Sequence, residues 1–410
     1  MARGRLEETL QSELEALEVA GTRKGDETVF AGVVPAAAGN GPRYLLQGAG
    51  DRRFLRMNSN GYLGMALRPE VIAAEEKAVH ACGAGPGAVR FISGTWAQHV
   101  ALEEKLAAFH RREAAMIFSS AYATVMGTLP PLISDETAVI SDELNHNCII
   151  NAMRLARPKE KYVYRHLDLD ELERCLATAA KTCRRAIVVT DGIFSMRGDH
   201  APLDKIVALG RRFDDAFDEA VLVVADDSHG IGAIGATGRG TEEHVGGAPV
   251  DLLIATLGKA LGVNGGYVTG RRTILDYLRE KAPFYIYSNP ITPGEAAAAA
   301  AALDILDSDE GIALLRHLRE MTARFEAGLG KLGLETIPGE HPVVPLMVRD
   351  TTRTGALVGH LRSHGVLATA ITYPVVPRGE EEIRFQVSAD HTAADIDEVL
   401  EILADAPGTG

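Results

Sequence analysis

The apolar run Val221-Leu-Val-Val-Ala225 ends in Asp226-Asp-Ser-His229, and the run Leu252-Leu-Ile-Ala-Thr256 ends three residues before Lys259. Two carboxylates and an imidazole at one strand exit can hold and pass a proton. A lysine in a glycine-flanked turn can act as an amine once its surroundings lower its pKa. Each cluster also has an ordinary explanation: Asp at strand ends caps turns, most lysines are solvated, and a histidine after a strand is as readily a structural donor. Two phosphate-binding patterns fail. Gly230-Ile-Gly-Ala-Ile-Gly235 matches G-x-G-x-x-G, but a polar segment separates it from the strand, and Ala236-Thr-Gly-Arg-Gly240 continues as loop where a helix must receive the pyrophosphate. Gly258-Lys259 has Leu253 where a phosphate loop needs its first glycine.

The elements that must position these residues are legible as alternating apolar runs and amphipathic spacers between about 66 and 290. Strands are expected at Ala115–Phe118, Ala138–Ser141, Lys161–Tyr164, Ala186–Thr190, Val221–Ala225 and Leu252–Thr256. Runs of this length and spacing imply parallel strands buried on both faces by crossover helices, in which ligands bind beyond the carboxyl ends of the strands. After Pro293 the alanine-rich run 296–302 opens a helical stretch to about Leu332, followed by strands at Val343–Val348 and Ile383–Val387, a smaller α+β unit. The expected division is an N-terminal segment 1–65, an α/β domain 66–290 and a C-terminal domain 291–410. Leu6, Leu10, Leu14 and Leu17 follow one face of a helix, and the segment Gly32–Asp51 reads as a long loop.

The chain has 410 residues, 46% hydrophobic and 24% charged, with 42 Lys+Arg against 56 Asp+Glu and a formal net charge of −14. Such a balance gives no general attraction to nucleic acid or anionic lipid. The uncharged run from Ala114 to Ser134 carries Ser119, Ser120, Gly127, Pro130 and Pro131, so it reads as a buried strand and turn rather than a membrane span. The four cysteines form no C-x-x-C pair for zinc or redox work and are too sparse for a disulfide framework, which fits a reducing, cytoplasmic setting.

Read together, Asp226-x-x-His229 and Thr256-x-x-Lys259 resemble the pyridoxal-phosphate core of the α-oxoamine synthases, fold-type I enzymes that join an amino acid to an acyl-CoA. The resemblance runs along most of the chain. It includes Asn60-Gly-Tyr-Leu-Gly64, the stretch Gly83 to Thr95, Ile140-Ser-Asp-Glu-Leu-Asn-His146, Thr190-Asp-Gly-Ile-Phe-Ser-Met196, Tyr287-Ser-Asn-Pro290, Tyr373-Pro-Val-Val-Pro377 and Ile383-Arg384. Within the family, Asp191–Met196, Tyr287–Asn289 and Tyr373–Pro377 are most similar to the glycine C-acetyltransferases.

The resemblance implies a role for each residue. Lys259 carries pyridoxal 5′-phosphate as an internal aldimine and later moves the α-proton, passing through a quinonoid. Asp226 keeps the pyridine nitrogen protonated, His229 donates to the phenolic oxygen, and His146 stacks on the ring. Thr256 and the backbone of Ala121 and Tyr122 take the phosphate, with Ser288 supplied by the other subunit of a homodimer with shared active sites. Arg384 holds the substrate carboxylate, and Asn60 and Ser195 lie near that substrate. The implied reaction condenses an amino acid, glycine as first choice, with a short acyl-CoA such as acetyl-CoA, the product leaving as a 2-amino-3-oxo acid or decarboxylating to an aminoketone.

Departures from the family pattern bear on the substrates rather than the cofactor. Arg197 stands where an Asp usually follows Phe-Ser-Met, Gly61 replaces an Asp or Asn, and Pro290-Ile-Thr-Pro293 replaces a Ser-Leu-containing stretch. They leave open a biosynthetic relative using another amino acid, another acyl-CoA or a carrier-protein thioester. A fold-type I aminotransferase would need Lys259 and Asp226 without the two histidines, and a non-catalytic synthase subunit would not need Lys259.

Overall fold

The computed structural model describes residues 2–20, 22, 23 and 25–406. Near the N-terminus, strands β1 (Phe30–Val34), β2 (Arg43–Leu46) and β3 (Arg53–Arg56) form an antiparallel meander. The expected loop 32–51 is therefore largely a hairpin. A turn bridged between Ala37 and Asn40 lets Val33 pair with Tyr44.

The large sheet contains seven strands: β4 (Ala114–Phe118), β5 (Thr137–Asp142), β6 (Glu160–Tyr164), β7 (Arg185–Asp191), β8 (Ala220–Asp226), β9 (Leu252–Thr256) and β10 (Gly266–Gly270). Their spatial order is β4-β10-β9-β8-β7-β5-β6. Strands β5 to β9 pair in parallel, whereas β10 runs antiparallel to both β4 and β9. The six strands expected here lie within a residue of their observed ends, and β10 is additional. Its sequence Gly-Tyr-Val-Thr-Gly is bounded by glycines, which are depleted in strands, yet every residue of it is buried. Gly266 is required: a Cβ there would come within 2.5 Å of the Ala121 amide nitrogen.

The run after β4 continues through a turn into a helix, Ala121–Leu132, with Pro130 and Pro131 in its last turn. No helix among the described residues is long and apolar enough to cross a membrane. The alanine-rich run forms the helix Pro293–Leu306, started by a reciprocal Thr292–Glu295 capping box with Pro293 at its first position. It packs on the helices Pro69–Cys82 and Ala97–Phe109. The helix Asp309–Lys331 follows, then β11 (Val343–Met347), β12 (Val366–Leu367), β13 (Thr369–Ile371) and β14 (Glu382–Gln386). Strand β14 lies between β11 and β13 in a three-stranded antiparallel sheet, while β12 pairs in parallel with β3. The leucines at 6, 10, 14 and 17 do lie on a helix, Ala2–Val19, where all four are exposed.

Candidate active site

The carboxyl ends of β5, β7, β8 and β9 open on one cavity of about 270 Å3. Nine of the eleven residues singled out from the sequence line it: Asn60, Ala121, Tyr122, His146, Ser195, Asp226, His229, Lys259 and Arg384. Thr256 and Ser288 do not. The Thr256 hydroxyl donates to the Gly265 carbonyl (3.2 Å) and accepts from the Gly258 amide (3.0 Å). Ser288 donates weakly to its neighbour's carbonyl, 3.4 Å away.

Lys259 is carried on a tight loop after β9. The bonds Leu257 N to Gly265 O (2.9 Å), Val263 N to Leu257 O and Gly262 N to Lys259 O (both 3.0 Å) close that loop. Buried Ala260 and Leu261 anchor it from below. Burial lowers the ammonium's pKa to about 8, with Asp226 and Asp191 opposing the shift and Arg384 adding to it. A substantial neutral fraction is thus present near physiological pH.

Strand alternation sends Asp226 and Asp227 to different places. Asp227 is fully buried and accepts from the Thr241 amide (2.7 Å) and hydroxyl (2.6 Å), so it fastens the 227–241 loop. Asp226 faces the cavity, where its Oδ1 accepts from the Ser228 amide at 3.1 Å. Its register neighbour on β7 is Asp191, also in the cavity. Burial and then the charge of Asp226 push the Asp191 carboxyl well above the usual range. Asn145 ties these strand ends together, donating to Val189 O (2.8 Å) and Ser141 Oγ (2.9 Å) while accepting from the Asp191 amide (2.8 Å).

His146 caps the helix Asn147–Ala156, and its amide donates to Asp191 Oδ2 at 2.9 Å. Its Nδ1 accepts from the Cys148 amide (3.2 Å), and burial lowers its pKa, so the neutral ring carries its proton on Nε2. His229 is also neutral, held well below its ordinary pKa by burial and then by Lys259. Its Nδ1 lies 2.7 Å from the Tyr62 hydroxyl, and its carbonyl accepts from His341 Nε2 at 2.8 Å. Asn60 Oδ1 lies farther from the same hydroxyl, at 3.4 Å; with the hydroxyl donating to the nearer Nδ1, the His229 ring proton is on Nε2.

Arg384 comes from the middle strand of the small sheet. Its Nη1 donates to the Ser195 carbonyl (3.2 Å), and the Gln386 amide, turned so that its oxygen faces the guanidinium, accepts from Nη2 (2.9 Å) and Nε (2.7 Å). The segment bearing Asn60 is sewn to the same strand end by Gln386 N to Met57 O (2.8 Å) and Ala389 N to Tyr62 O (2.7 Å). Ser195 sits in a turn closed by Phe194 N to Asp199 O (3.0 Å) and Gly198 N to Phe194 O (2.8 Å). Asp191, Tyr62 and His341 were not singled out from the sequence, although the first two stand inside the quoted stretches.

A pyridoxal-phosphate group fits these residues. Ser120 caps the helix Ala121–Leu132 through the Ala123 amide (3.1 Å), leaving the first-turn amides of Ala121 and Tyr122 without helical acceptors at the cavity wall, as a phosphate requires. The Ser228 hydroxyl lines the same cavity and is buried without a partner. An amine and a carboxylate stand in the cavity for the aldehyde and the ring nitrogen.

The family described as aminotransferase class I and II matches residues 52–403. The chain is 40% identical over 352 residues to 8-amino-7-oxononanoate synthase of Thermosipho melanesiensis, covering 85% of this chain and 87% of that protein. It is 38% identical over 394 residues to mitochondrial 2-amino-3-ketobutyrate coenzyme A ligase of Homo sapiens, covering 96% and 90%. Sphingomonas wittichii serine palmitoyltransferase superposes with a TM-score of 0.85 at 26% identity, covering 97% of this chain and 96% of that chain. A serine palmitoyltransferase structure with a pyridoxal-phosphate internal aldimine shares the fold at a TM-score of 0.84 and 24% identity, with the same coverage. The protein is thus a pyridoxal-phosphate-dependent enzyme of fold type I. More narrowly, the chain belongs to the α-oxoamine synthase family.

Proposed function

We propose that the protein condenses glycine with a short acyl-CoA, acetyl-CoA as first choice, as a C-acyltransferase. The observation that carries this reading is the convergence of Lys259, Asp226 and Arg384 on one cavity, an amine, an acid and a carboxylate-binding cation from three separate elements. Support for glycine and a short acyl group comes from the 2-amino-3-ketobutyrate coenzyme A ligase, 38% identical over 96% of the chain.

When bound, pyridoxal phosphate supplies an electron sink that makes a proton on the amino acid's α-carbon removable. Lys259 would hold the cofactor through its aldehyde carbon, and its Nζ is the base that would take the α-proton; a pKa near 8 suits both tasks. The Asp226 carboxylate would partner the ring nitrogen, His229, its ring fixed by Tyr62, would donate from Nε2, and His146 would cover the ring face. The Ala121 and Tyr122 amides would hold the phosphate together with Ser288 of a second copy in a homodimer. Thr256 serves it through the loop its hydroxyl shapes. Arg384 offers a planar fork to the amino acid's carboxylate beside Asn60 and Ser195.

A second reading, a synthase using another amino acid or another thioester, draws support from the 8-amino-7-oxononanoate synthases at 38–40% identity. A matrix of amino acids against acyl-CoAs, scored by free CoA and product mass, separates the two. Product from glycine and acetyl-CoA is expected. Product only from another pair would overturn the first reading.

A further inference from the structure

A second cavity of about 290 Å3 adjoins the first and shares Ser195 and Met196 with it. Phe194, Ile337, Met347 and Val376 give it apolar walls, and Leu144 and Val375 line it while 47% and 64% exposed, so it reaches the surface. Its charged lining is mostly acidic: Glu143, Glu380 and Glu382 against Arg197, whose Nε is bound to Asp199 at 2.9 Å. Glu382 is only 3% exposed, and its Oε1 is buried without a hydrogen-bond partner. A buried carboxyl oxygen left unpaired is costly, and such groups concentrate where a ligand completes them. Glu382 precedes Arg384 by two on β14, so the two side chains share a face of the strand, one lining each cavity.

We propose that this second cavity receives the acyl part of the thioester, and that Glu382 makes the enzyme selective for uncharged acyl groups by excluding chains that end in a carboxylate. The inference rests on the acyltransferase reading above and narrows its acyl donor. An uncharged chain buries its methylenes on the apolar walls. A terminal carboxylate would meet the acidic lining of Glu143, Glu380 and Glu382, whose one cation, Arg197, is bound through Nε to Asp199, while Arg384 lines the first cavity and is used there by the amino acid's carboxylate. The free Oε1 can accept from an N–H or O–H of the incoming arm. Burial raises Glu382 to about 7, opposed by Arg384 and Arg197 and aided by Glu380, so at pH 8 its charged form predominates.

The test uses the pyridoxal-phosphate-loaded enzyme with glycine at pH 8 and thioesters matched in chain length: butyryl-CoA with succinyl-CoA, and hexanoyl-CoA with adipoyl-CoA. Wild type should favour the uncharged member in kcat/KM by about tenfold or more. Glu382→Gln should narrow the ratio by about tenfold, chiefly through KM, and Glu382→Lys should reverse it. Calorimetric binding of the same thioesters without glycine should follow the same order. A wild type indifferent within each pair, or a ratio unmoved in both variants, overturns this inference and leaves the acyltransferase reading standing. No thiol release from any thioester overturns both.

Discussion

Asp191 and Asp226 stand directly beside each other at the carboxyl ends of two parallel strands, both facing one cavity. Burial and then the neighbouring Asp226 push the Asp191 carboxyl well above its usual range, so Asp191 holds a proton more readily than an ordinary carboxylate. Asn mimics a protonated carboxyl, so Asp191→Asn should cost less than about tenfold in kcat, whereas Asp226→Asn should cost on the order of 10²-fold. Steady-state kinetics of the two variants, with cofactor absorbance as a check on loading, decide this. Equal losses would contradict the division of labour.

Tyr62 fixes His229 through a 2.7 Å contact at Nδ1. Tyr62→Phe removes that partner and leaves a buried ring nitrogen unpaired, which should lower stability by about 1–3 kcal/mol and kcat/KM by roughly threefold to tenfold. Urea titration and kinetics measure the two effects. A variant indistinguishable from wild type in both would remove Tyr62 from the site.

A lysine whose pKa lies near 8 binds an aldehyde as its neutral form grows in. The rate at which cofactor-free protein captures pyridoxal phosphate should therefore rise through pH 8 and flatten above it. Stopped-flow absorbance reads it directly. A rate still climbing towards pH 10 would mean that burial does not depress the amine.

Asp226, His229 and Lys259 were legible because each follows an apolar run at a strand exit, where open α/β sheets bind ligands. What stayed hidden depends on tertiary register. Asp191 gains meaning only when β7 and β8 bring it beside Asp226, Tyr62 only when its segment docks on β14, and Glu382 only when β14 turns it into an apolar cavity. Strand β10 was hidden because its flanking glycines, needed for the close approach at Ala121, look like loop. The hairpin of β1 and β2 looks like loop in the sequence because its turn residues, Ala37 to Asn40, dominate a short alternating pattern.

His166 bridges Asp142 and Asp199, each at 3.1 Å, beneath the turn that carries Ser195. Burial disfavours its charge, but hydrogen bonds and then the charges of the two carboxylates prevail and raise it to about 9. A raised folded pKa stabilises the protein fully below about pH 6.5, the unfolded value, and that contribution is lost as pH climbs through 9. His166→Gln should thus be less stable than wild type by about 2 kcal/mol at pH 6, with a gap that closes towards pH 9.5. Denaturant titrations at the two pH values test it; a gap constant with pH would mean that the imidazolium contributes nothing.

Thiol release from acetyl-CoA in the presence of glycine and pyridoxal phosphate, measured for wild type and Lys259→Ala alongside product mass, is the most direct measurement. Wild type should release CoA together with a 2-amino-3-oxo acid or its aminoketone, and a folded Lys259→Ala should release none. Full activity in that variant would contradict the assignment of Lys259 as the group that binds the cofactor and moves the proton.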